Sequence, residues 1–258
     1  MRKAILFVFA FTAVASQAQQ LNKAFKAGEQ LSFRFFYDSW LADITAGTGT
    51  TTISEEIEEV DGKRVYHIIG QGNSKGAFNL FFKVNDRFES WVDTASLLPE
   101  QFKRRTREGG YVYDDDVYFN HQAKYIRSRR AVKDIPEGTR DVVSAFYYAR
   151  NWNLEHLKVG EIYKVSFLLD DSVYTSGVKF LGRDTIRIAA GRFASLKFKP
   201  MVIKGKVFSD PYPMTLWISD DKNRLPLLAE SKIVVGKVKM ELTGFRGLRH
   251  EPESRLGP

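Results

Sequence analysis

The chain has 258 residues, with 39 Lys and Arg against 31 Asp and Glu, and its formal charge is +8 at pH 7. It contains no cysteine, which excludes disulfides, thiolate metal sites and the lipid-bearing cysteine of a bacterial lipoprotein. The basic balance favours anionic partners such as phospholipid headgroups or acidic glycans, and aromatic residues, at 14%, are ample for a core or an apolar groove.

The N-terminus has the pattern of a secretory signal peptide. Arg2 and Lys3 form a positive start, residues 4–14 are apolar apart from one Thr, and Ser16-Gln17-Ala18 places small residues at a cleavage site. The apolar run is shorter than the about 20 residues that a membrane span needs, and no later stretch qualifies. We predict a signal peptide over residues 1–18, cleavage after about Ala18, and a periplasmic or secreted mature chain. Export also argues against nucleic acid as a partner.

Period-two alternation predicts a first series of strands between residues 25 and 135. Residues 31–35 alternate cleanly, residues 44–57 are rich in Thr and Gly, and residues 64–69 follow an Asp61-Gly62 turn. Residues 70–76 are predicted as a loop, and a strand within residues 81–93 ends at Trp91. Three further strands are predicted from residue 99 to residue 130, broken at Gly109-Gly110 and near Asn120-His121-Gln122.

One principal helix is predicted in the segment 141–152. Asp141 is a good N-cap, and Pro136 and Gly138 break the chain before it. Four residues lie at helical spacing and form a face expected to pack on a sheet: Val142, Ala145, Phe146 and Ala149. For Tyr147-Tyr148, core packing or surface cover is favoured over lining a pocket.

A second series of strands is predicted over residues 157–245. It includes strands over residues 173–181, 184–188 and 193–198, and three more around a central segment, residues 216–227. The tail from Arg246 is polar and is expected to be loose.

The two series share their opening and ending patterns. Lys26-Ala27-Gly28-Glu29 is echoed by Lys158-Val159-Gly160-Glu161, and a Trp, Asp, Leu-Pro pattern occurs near Trp91 and again near Trp217. We predict one mainly β domain over residues 19–258, a large curled antiparallel sheet or open β-barrel made of two similar halves. Chance similarity between β-rich segments is the alternative to duplication. Trp91 and Trp217 are expected at comparable positions, each followed by a turn and a Leu-Pro that opens the next strand.

Gly72-Asn73-Ser74-Lys75-Gly76 matches the G-x-S-x-G nucleophile pattern. That elbow needs an entering strand, a leaving helix and an α/β sheet, and the chain lacks alternating strands and helices. An ordinary exposed loop is the favoured interpretation.

The remaining polar groups give no catalytic, cofactor or metal site. His67, His121, His156 and His250 are scattered without ligand spacing. Asp220-Asp221 is typical of a turn, although an acid and base pair or a cation site is the alternative. Asp114-Asp115-Asp116 lies within a strand pattern rather than a calcium loop.

The same acidic run has basic neighbours. With a two-residue turn at Gly109-Gly110, Arg105 faces Asp114 and Lys103 faces Asp116. A two-residue turn at His121-Gln122 would set Asp114 against Arg129 and Asp116 against Arg127. We therefore predict a charge ladder that sets strand register on the solvated face.

Residues 141–150 and the segment Leu216-Trp217-Ile218-Ser219-Asp220-Asp221, with the Gly28-Glu29 opening, resemble the exported bacterial proteins of domain-of-unknown-function family 3108. The likeness extends from about Phe25 to Leu242. It implies a Gram-negative envelope protein and carries over no catalytic residues. The architecture is also distantly similar to the open β-barrels of periplasmic lipoprotein carriers.

The leading functional hypothesis is a non-catalytic periplasmic protein that holds or chaperones an apolar or amphipathic envelope component, such as a lipid, a lipoprotein or a nascent outer-membrane protein. The alternatives are an enzyme acting on glycans, with exposed Trp91 and Trp217 as sugar platforms, or a structural subunit of an envelope complex. No ligand-binding residue can be assigned from the sequence.

Overall fold

The computed structural model describes residues 22–38, 43–76, 78–201, 214–232 and 237–257, so the predicted signal peptide lies outside the described residues. The first half of the chain contains β1 (Gln30–Asp38), β2 (Asp43–Ile53), β3 (Glu58–Val60), β4 (Lys63–Ser74), α1 (Phe78–Phe81), β5 (Asn85–Asp93), β6 (Pro99–Glu108), β7 (Tyr111–Asn120), β8 (Tyr125–Arg127) and β9 (Val132–Asp134). The second half contains β10 (Arg140–Asp141), α2 (Val142–Ala149), β11 (Ile162–Leu169), β12 (Ser172–Ile188), β13 (Gly191–Pro200), β14 (Met214–Ser219), β15 (Pro226–Lys232), β16 (Lys237–Arg246) and β17 (Arg255–Leu256).

All described strands belong to one sheet, which confirms the predicted class. Its centre is β1, which pairs antiparallel with β2 on one side and with β16 on the other. From β2 the sheet continues through β4, β5, β6, β7, β8 and β9, and from β16 it continues through β15, β14, β13, β12, β11 and β10. The pair β10–β11 is parallel, and among the described strands the two ends do not pair to close a barrel. Neither helix in the described part of the chain has the length or apolar character to span a bilayer.

Two Gly-Glu corners, Gly28-Glu29 and Gly160-Glu161, have the same backbone geometry. Gly28 and Gly160 have φ values of 82° and 92°, a left-handed conformation in which glycine carries no Cβ penalty. Gly28 N donates to Ile53 O while Ile53 N donates to Glu29 O, and the second corner repeats this exchange with Phe180. Whether the halves arose by duplication stays a prediction.

The two tryptophans occupy comparable positions, as predicted. A β-bulge follows Trp91 in β5 and Trp217 in β14, and the next residue pairs with the proline that opens the following strand, Pro99 or Pro226. Trp91 Nε1 donates to Glu58 at 2.8 Å and Trp217 Nε1 donates to Asp184 at 3.0 Å. Both side chains are buried, so the motif is structural in both places.

The predicted loop over residues 70–76 was wrong in part, because β4 continues to Ser74. Its last residues pair with β2, with Gly47 opposite Ser74 and Gly49 opposite Gly72. A Cβ at Gly47 would lie 2.3 Å from Asn73 O, so the backbones approach too closely there for any larger residue. The tight strand pair therefore depends on Gly47 of β2 rather than on the predicted loop, since a Cβ at Gly72 would meet nothing within 4 Å.

The β6–β7 hairpin has the predicted register, with Arg105 opposite Asp114 and Lys103 opposite Asp116. The ion pairs run diagonally, however: Arg105 bonds Asp116 at 2.6 Å and Arg107 bonds Asp114 at 2.6 Å. Strand twist brings diagonal neighbours within reach of long side chains. The hydrogen bond from Arg107 holds the pKa of Asp114 below its usual range.

The predicted turn at His121-Gln122 was wrong. Asn120 pairs with Tyr125, so the turn has two more residues and Arg127 faces Tyr118 rather than Asp116. Because the register of β8 against β7 shifts by two residues, each side chain stays on its predicted face of the sheet. Arg129 Nε therefore donates to Asp116 Oδ2 at 2.6 Å. Asp116 does lie between two cations, but they are Arg105 and Arg129.

Two further expectations for the second half were wrong. The strands predicted over residues 173–181 and 184–188 form one strand, β12, because a bulge at Gly182 keeps both parts paired with β13. The tail beyond Arg246 is also held in place, since Ser254 donates to the buried Asp221 at 2.6 Å and β17 pairs with β13. Polar residues of the tail satisfy polar groups that the central turn buries.

Trp217→Ala is expected to lower the free energy of unfolding by about 3–5 kcal/mol, the usual cost of truncating a buried aromatic side chain. Thermal or urea denaturation of the purified chain measures the change. Tyr111→Ala serves as the control because Tyr111 is 49% exposed. An unchanged melting temperature for Trp217→Ala would contradict the structural role of the tryptophan.

A candidate apolar cavity

Helix α2 separates a filled apolar region from an open one. Tyr147 on one side of the helix is 1% exposed and packs edge-on against Phe25, within a core cluster of the first half that includes Ile53 and Ile68. On the other side, α2 faces the strands of the second half across a cavity of about 470 Å³. That volume falls within the range of about 300–1,000 Å³ typical of small-molecule sites.

The walls of the cavity on the sheet side come from four adjacent strands. Side chains two residues apart point to the same face of a strand, and the lining residues follow that spacing. These residues include Val165 and Phe167 of β11, Val178 of β12, Phe198 of β13, and Leu216 and Ile218 of β14. The second half therefore presents a continuous apolar sheet face to the cavity.

The opposite wall is the predicted apolar face of α2. Asp141 caps the helix, accepting from Val143 N at 2.7 Å and Ser144 N at 2.9 Å, as the sequence predicted. All four members of the predicted face line the cavity: Val142, Ala145, Phe146 and Ala149. Val142 and Phe146 also pack against core clusters that include strand residues, so the face packs on the sheet as predicted. Tyr147 and Tyr148 contribute to core packing and surface cover, as predicted, and the structure does not place them in this wall.

A buried ion pair fixes the C-terminal end of α2 beside the cavity. The Arg150 guanidinium donates to both Glu29 oxygens, at 2.6 and 2.8 Å, and to Asn223 O at 3.0 and 3.1 Å. The two side chains are 3% and 0% exposed. Burial by itself would lower the pKa of Arg150, but the charge and hydrogen bonds of Glu29 outweigh it and raise that pKa.

The second arginine of the cavity has a weaker local partner. Arg224 Nη1 lies 3.3 Å from Asp220 Oδ1, while the other oxygen of Asp220 accepts from Arg183 Nε at 3.0 Å. One carboxylate thus serves two arginines and leaves a net positive charge. Among the described lining residues there is no carboxylate to offset it.

The predicted G-x-S-x-G motif does not form a nucleophile site. Ser74 ends β4 within the sheet, and its Oγ donates to Asn79 Oδ1 at 2.6 Å and accepts from Val84 N at 2.8 Å. The hydroxyl therefore joins β4 to α1 and the start of β5. The four-residue α1 does follow the motif, but no α/β sheet supports it.

The four histidines lie in separate parts of the fold. His67 stacks on Trp91 at 4.2 Å, with its ring nitrogens 2.9 Å from Glu58 and 3.0 Å from Glu89. His121 and His250 contact backbone carbonyls, and His156 lies in the loop after α2. The structure brings none of them to the cavity.

The acidic pairs have structural partners. Asp221 accepts from Asn223 N and Ser219 Oγ, which confirms the predicted turn. Asp115 points inward from β7 and is 4% exposed, within ion-pair distance of Arg130.

Trp91 and Trp217 are 8% and 7% exposed, so the glycan-enzyme alternative has neither of the platforms it required.

The family model of proteins of unknown function DUF3108 matches residues 31–243. The chain belongs to this family. Among curated proteins, none matches the sequence significantly. The fold is shared with a β-barrel-like protein of domain of unknown function DUF1849 from Brucella abortus, at 8% identity and a TM-score of 0.53, covering 88% of this chain and 100% of the other.

Two other solved structures resemble this DUF3108 chain less closely. One is a protein from Bacteroides fragilis described as exported and YmcC-like in fold, at 8% identity, TM-score 0.37, and coverage of 86% and 97%. The other is a protein from Parabacteroides distasonis described as a lipoprotein, at 10% identity, TM-score 0.39, and the same coverage.

Sequence reasoning missed the Glu29–Arg150 pair and Arg224. A Gly-Glu corner occurs twice, but Glu161 is exposed whereas Glu29 is buried. The signal that could have found the pair is Arg150 itself. A charged residue at the end of an otherwise apolar helix needs a partner wherever that end of the helix is buried.

Arg150→Met is expected to destabilise the protein by about 3–5 kcal/mol, because it leaves the Glu29 carboxylate buried without its cation. Adding Glu29→Gln in the same chain should recover part of that loss. Chemical denaturation of the single and double variants measures both effects. Lys124→Met, in an exposed pair with Glu137, is the control and should change stability by less than about 1 kcal/mol. Equal effects for Arg150→Met and Lys124→Met would contradict the structural role of the buried pair.

Proposed function

We propose that this protein is an exported, non-catalytic carrier or holder of an amphipathic envelope component, bound by an acyl chain in the cavity between α2 and the sheet. The component is a free lipid or the lipid part of a lipoprotein. The observation that carries the proposal is the cavity of about 470 Å³ with one helical and one sheet wall, both apolar.

The geometry suits hydrocarbon better than a polar substrate. Of the polar lining groups, Ser176 Oγ donates to Met201 O at 2.7 Å, and Arg150 is fully engaged by Glu29 and Asn223. Arg224 lies at the edge of the cavity, next to solvent. A sugar or peptide would bury hydroxyl or amide groups that find few partners on these walls, which costs free energy. An acyl chain needs no such partners, and its burial is favourable in proportion to its apolar area.

The cellular location belongs to the same proposal. The positive start, the apolar run over residues 4–14 and Ser16-Gln17-Ala18 support cleavage after about Ala18 and release into the periplasm. A lipid holder in that compartment would shield a chain that water cannot solvate.

Native mass spectrometry of protein recovered from the periplasm of a Gram-negative host tests the proposal. We expect an adduct of lipid mass, or a copurified lipoprotein, released by organic solvent. Recovery of ligand-free protein that also fails to bind a neutral apolar probe such as N-phenylnaphthylamine would overturn the proposal.

A cavity-filling variant shows where the probe binds. Ala149→Phe places a large side chain on the helical wall, and we expect it to weaken binding of N-phenylnaphthylamine at least about tenfold, or about 1.4 kcal/mol. Val159→Phe is the matched control, because Val159 is 73% exposed in a loop and does not line the cavity. Equal probe affinity in both variants, with melting temperatures unchanged, would place the binding elsewhere.

A further inference from the structure

One cation at the cavity has hydrogen-bonding capacity to spare. Arg150 also lines the cavity, but both of its terminal nitrogens and its Nε already donate to Glu29 and Asn223. Arg224 makes a single bond, from Nη1 to Asp220 at 3.3 Å, long for a charge-assisted contact. The rest of its guanidinium fork has no partner within the described residues.

The charge balance around Arg224 favours an anion. Asp220 is shared with Arg183, so these three groups carry one net positive charge. The Asp221 carboxylate, next in sequence, is turned into the protein, where Ser219, Asn223 and Ser254 saturate it. It is therefore directed away from a ligand beside Arg224.

The position of Arg224 is set by the backbone. Its φ of 51° places it in the left-handed region immediately before Leu225-Pro226, and Leu225 is fully buried. Asp221 Oδ1 accepts from Arg224 N at 3.2 Å and from Asn223 N at 3.0 Å, which fixes this turn. The side chain is 17% exposed, so the guanidinium lies at the boundary between the apolar walls and solvent.

We propose that Arg224 selects the headgroup: the cavity takes single-chain amphiphiles whose polar end is an anion, a carboxylate or a phosphate, in preference to neutral ones. This inference rests on the proposed function and adds to it a residue that determines specificity. The acyl chain lies between α2 and the strands, and the anionic end pairs with the free edge of the guanidinium, a fork that matches carboxylate and phosphate oxygens.

Displacement of N-phenylnaphthylamine from the mature protein at neutral pH tests the inference with three competitors of one chain length: palmitate, hexadecyl phosphate and hexadecanol. We expect both anions to displace the probe at concentrations at least about tenfold lower than hexadecanol, in line with hydrogen bonds to a charged group. The two anions separate a carboxylate from a phosphate ligand, and the alcohol reports the cavity alone.

Arg224→Met should remove the preference, weakening the anions about tenfold while leaving hexadecanol unchanged. Arg224→Lys, which keeps the charge but loses the fork, should retain part of it. Lys222→Met is the matched control, because it removes the same charge from the same turn at an exposed residue that does not line the cavity.

The outcomes separate the two proposals. If neither the probe nor hexadecanol binds the wild-type chain, the proposed function fails. If all three competitors displace the probe equally, or if Lys222→Met matches Arg224→Met, the cavity binds chains without Arg224 selecting the headgroup, and this inference is overturned. A loss of hexadecanol binding in a folded Arg224→Met protein would equally overturn it, because Arg224 would then shape the cavity itself.

Discussion

The buried pair of Glu29 and Arg150 is the constraint on which the arrangement of the two halves depends. It joins three distant parts of the chain: the corner before β1, the end of α2, and the turn that precedes β15. A guanidinium without water needs nearly all its donors satisfied, and this one has Glu29 on one edge and Asn223 O on the other. Arg150 also lies 5.6 Å from the Phe25 ring and 5.1 Å from the Tyr147 ring, so the same charge is held within the aromatic core.

With its end fixed there, α2 has two unlike faces. Tyr147 is directed into the first half and fills it, whereas Ala145 and Ala149 are directed toward the second half and are too short to fill the space before β11–β14. The two Gly-Glu corners set up similar sheet geometry, but only Glu29 receives the arginine of the helix. The cavity thus follows from one helix that packs into a filled core on one side and faces β11–β14 on the other.

Local patterns made the elements predictable from the sequence. Asp141 as a helix cap, the Gly109-Gly110 register and the turn with Leu-Pro after Trp91 and Trp217 depend on residues near one another in the chain or on period-two alternation. The four-residue turn after Asn120 was missed, because no glycine marks it: Asn120 Oδ1 accepts from Ala123 N at 2.8 Å, and Lys124 adopts the left-handed φ of 56°.

The site could be predicted only in part, because it is made of distant contacts. The pattern of apolar residues in α2 and around residues 216–227 predicted one helix face and two apolar strands. It did not show that these faces meet across a space, since the same patterns describe a filled core. The role proposed for Arg224 depends on Asp220 being shared with Arg183, a contact between β12 and the central turn.

The apolar walls of the cavity are a surface that gains free energy when it is covered. Burial of apolar surface is favourable at about 25 cal/mol per Å², and the cavity opens to solvent beside Arg224. Water filling such a cavity would find few hydrogen-bond partners on walls formed by Val, Leu, Ile and Phe. An acyl chain of the kind proposed would contact these walls along its length, so its binding would gain both dispersion and transfer free energy.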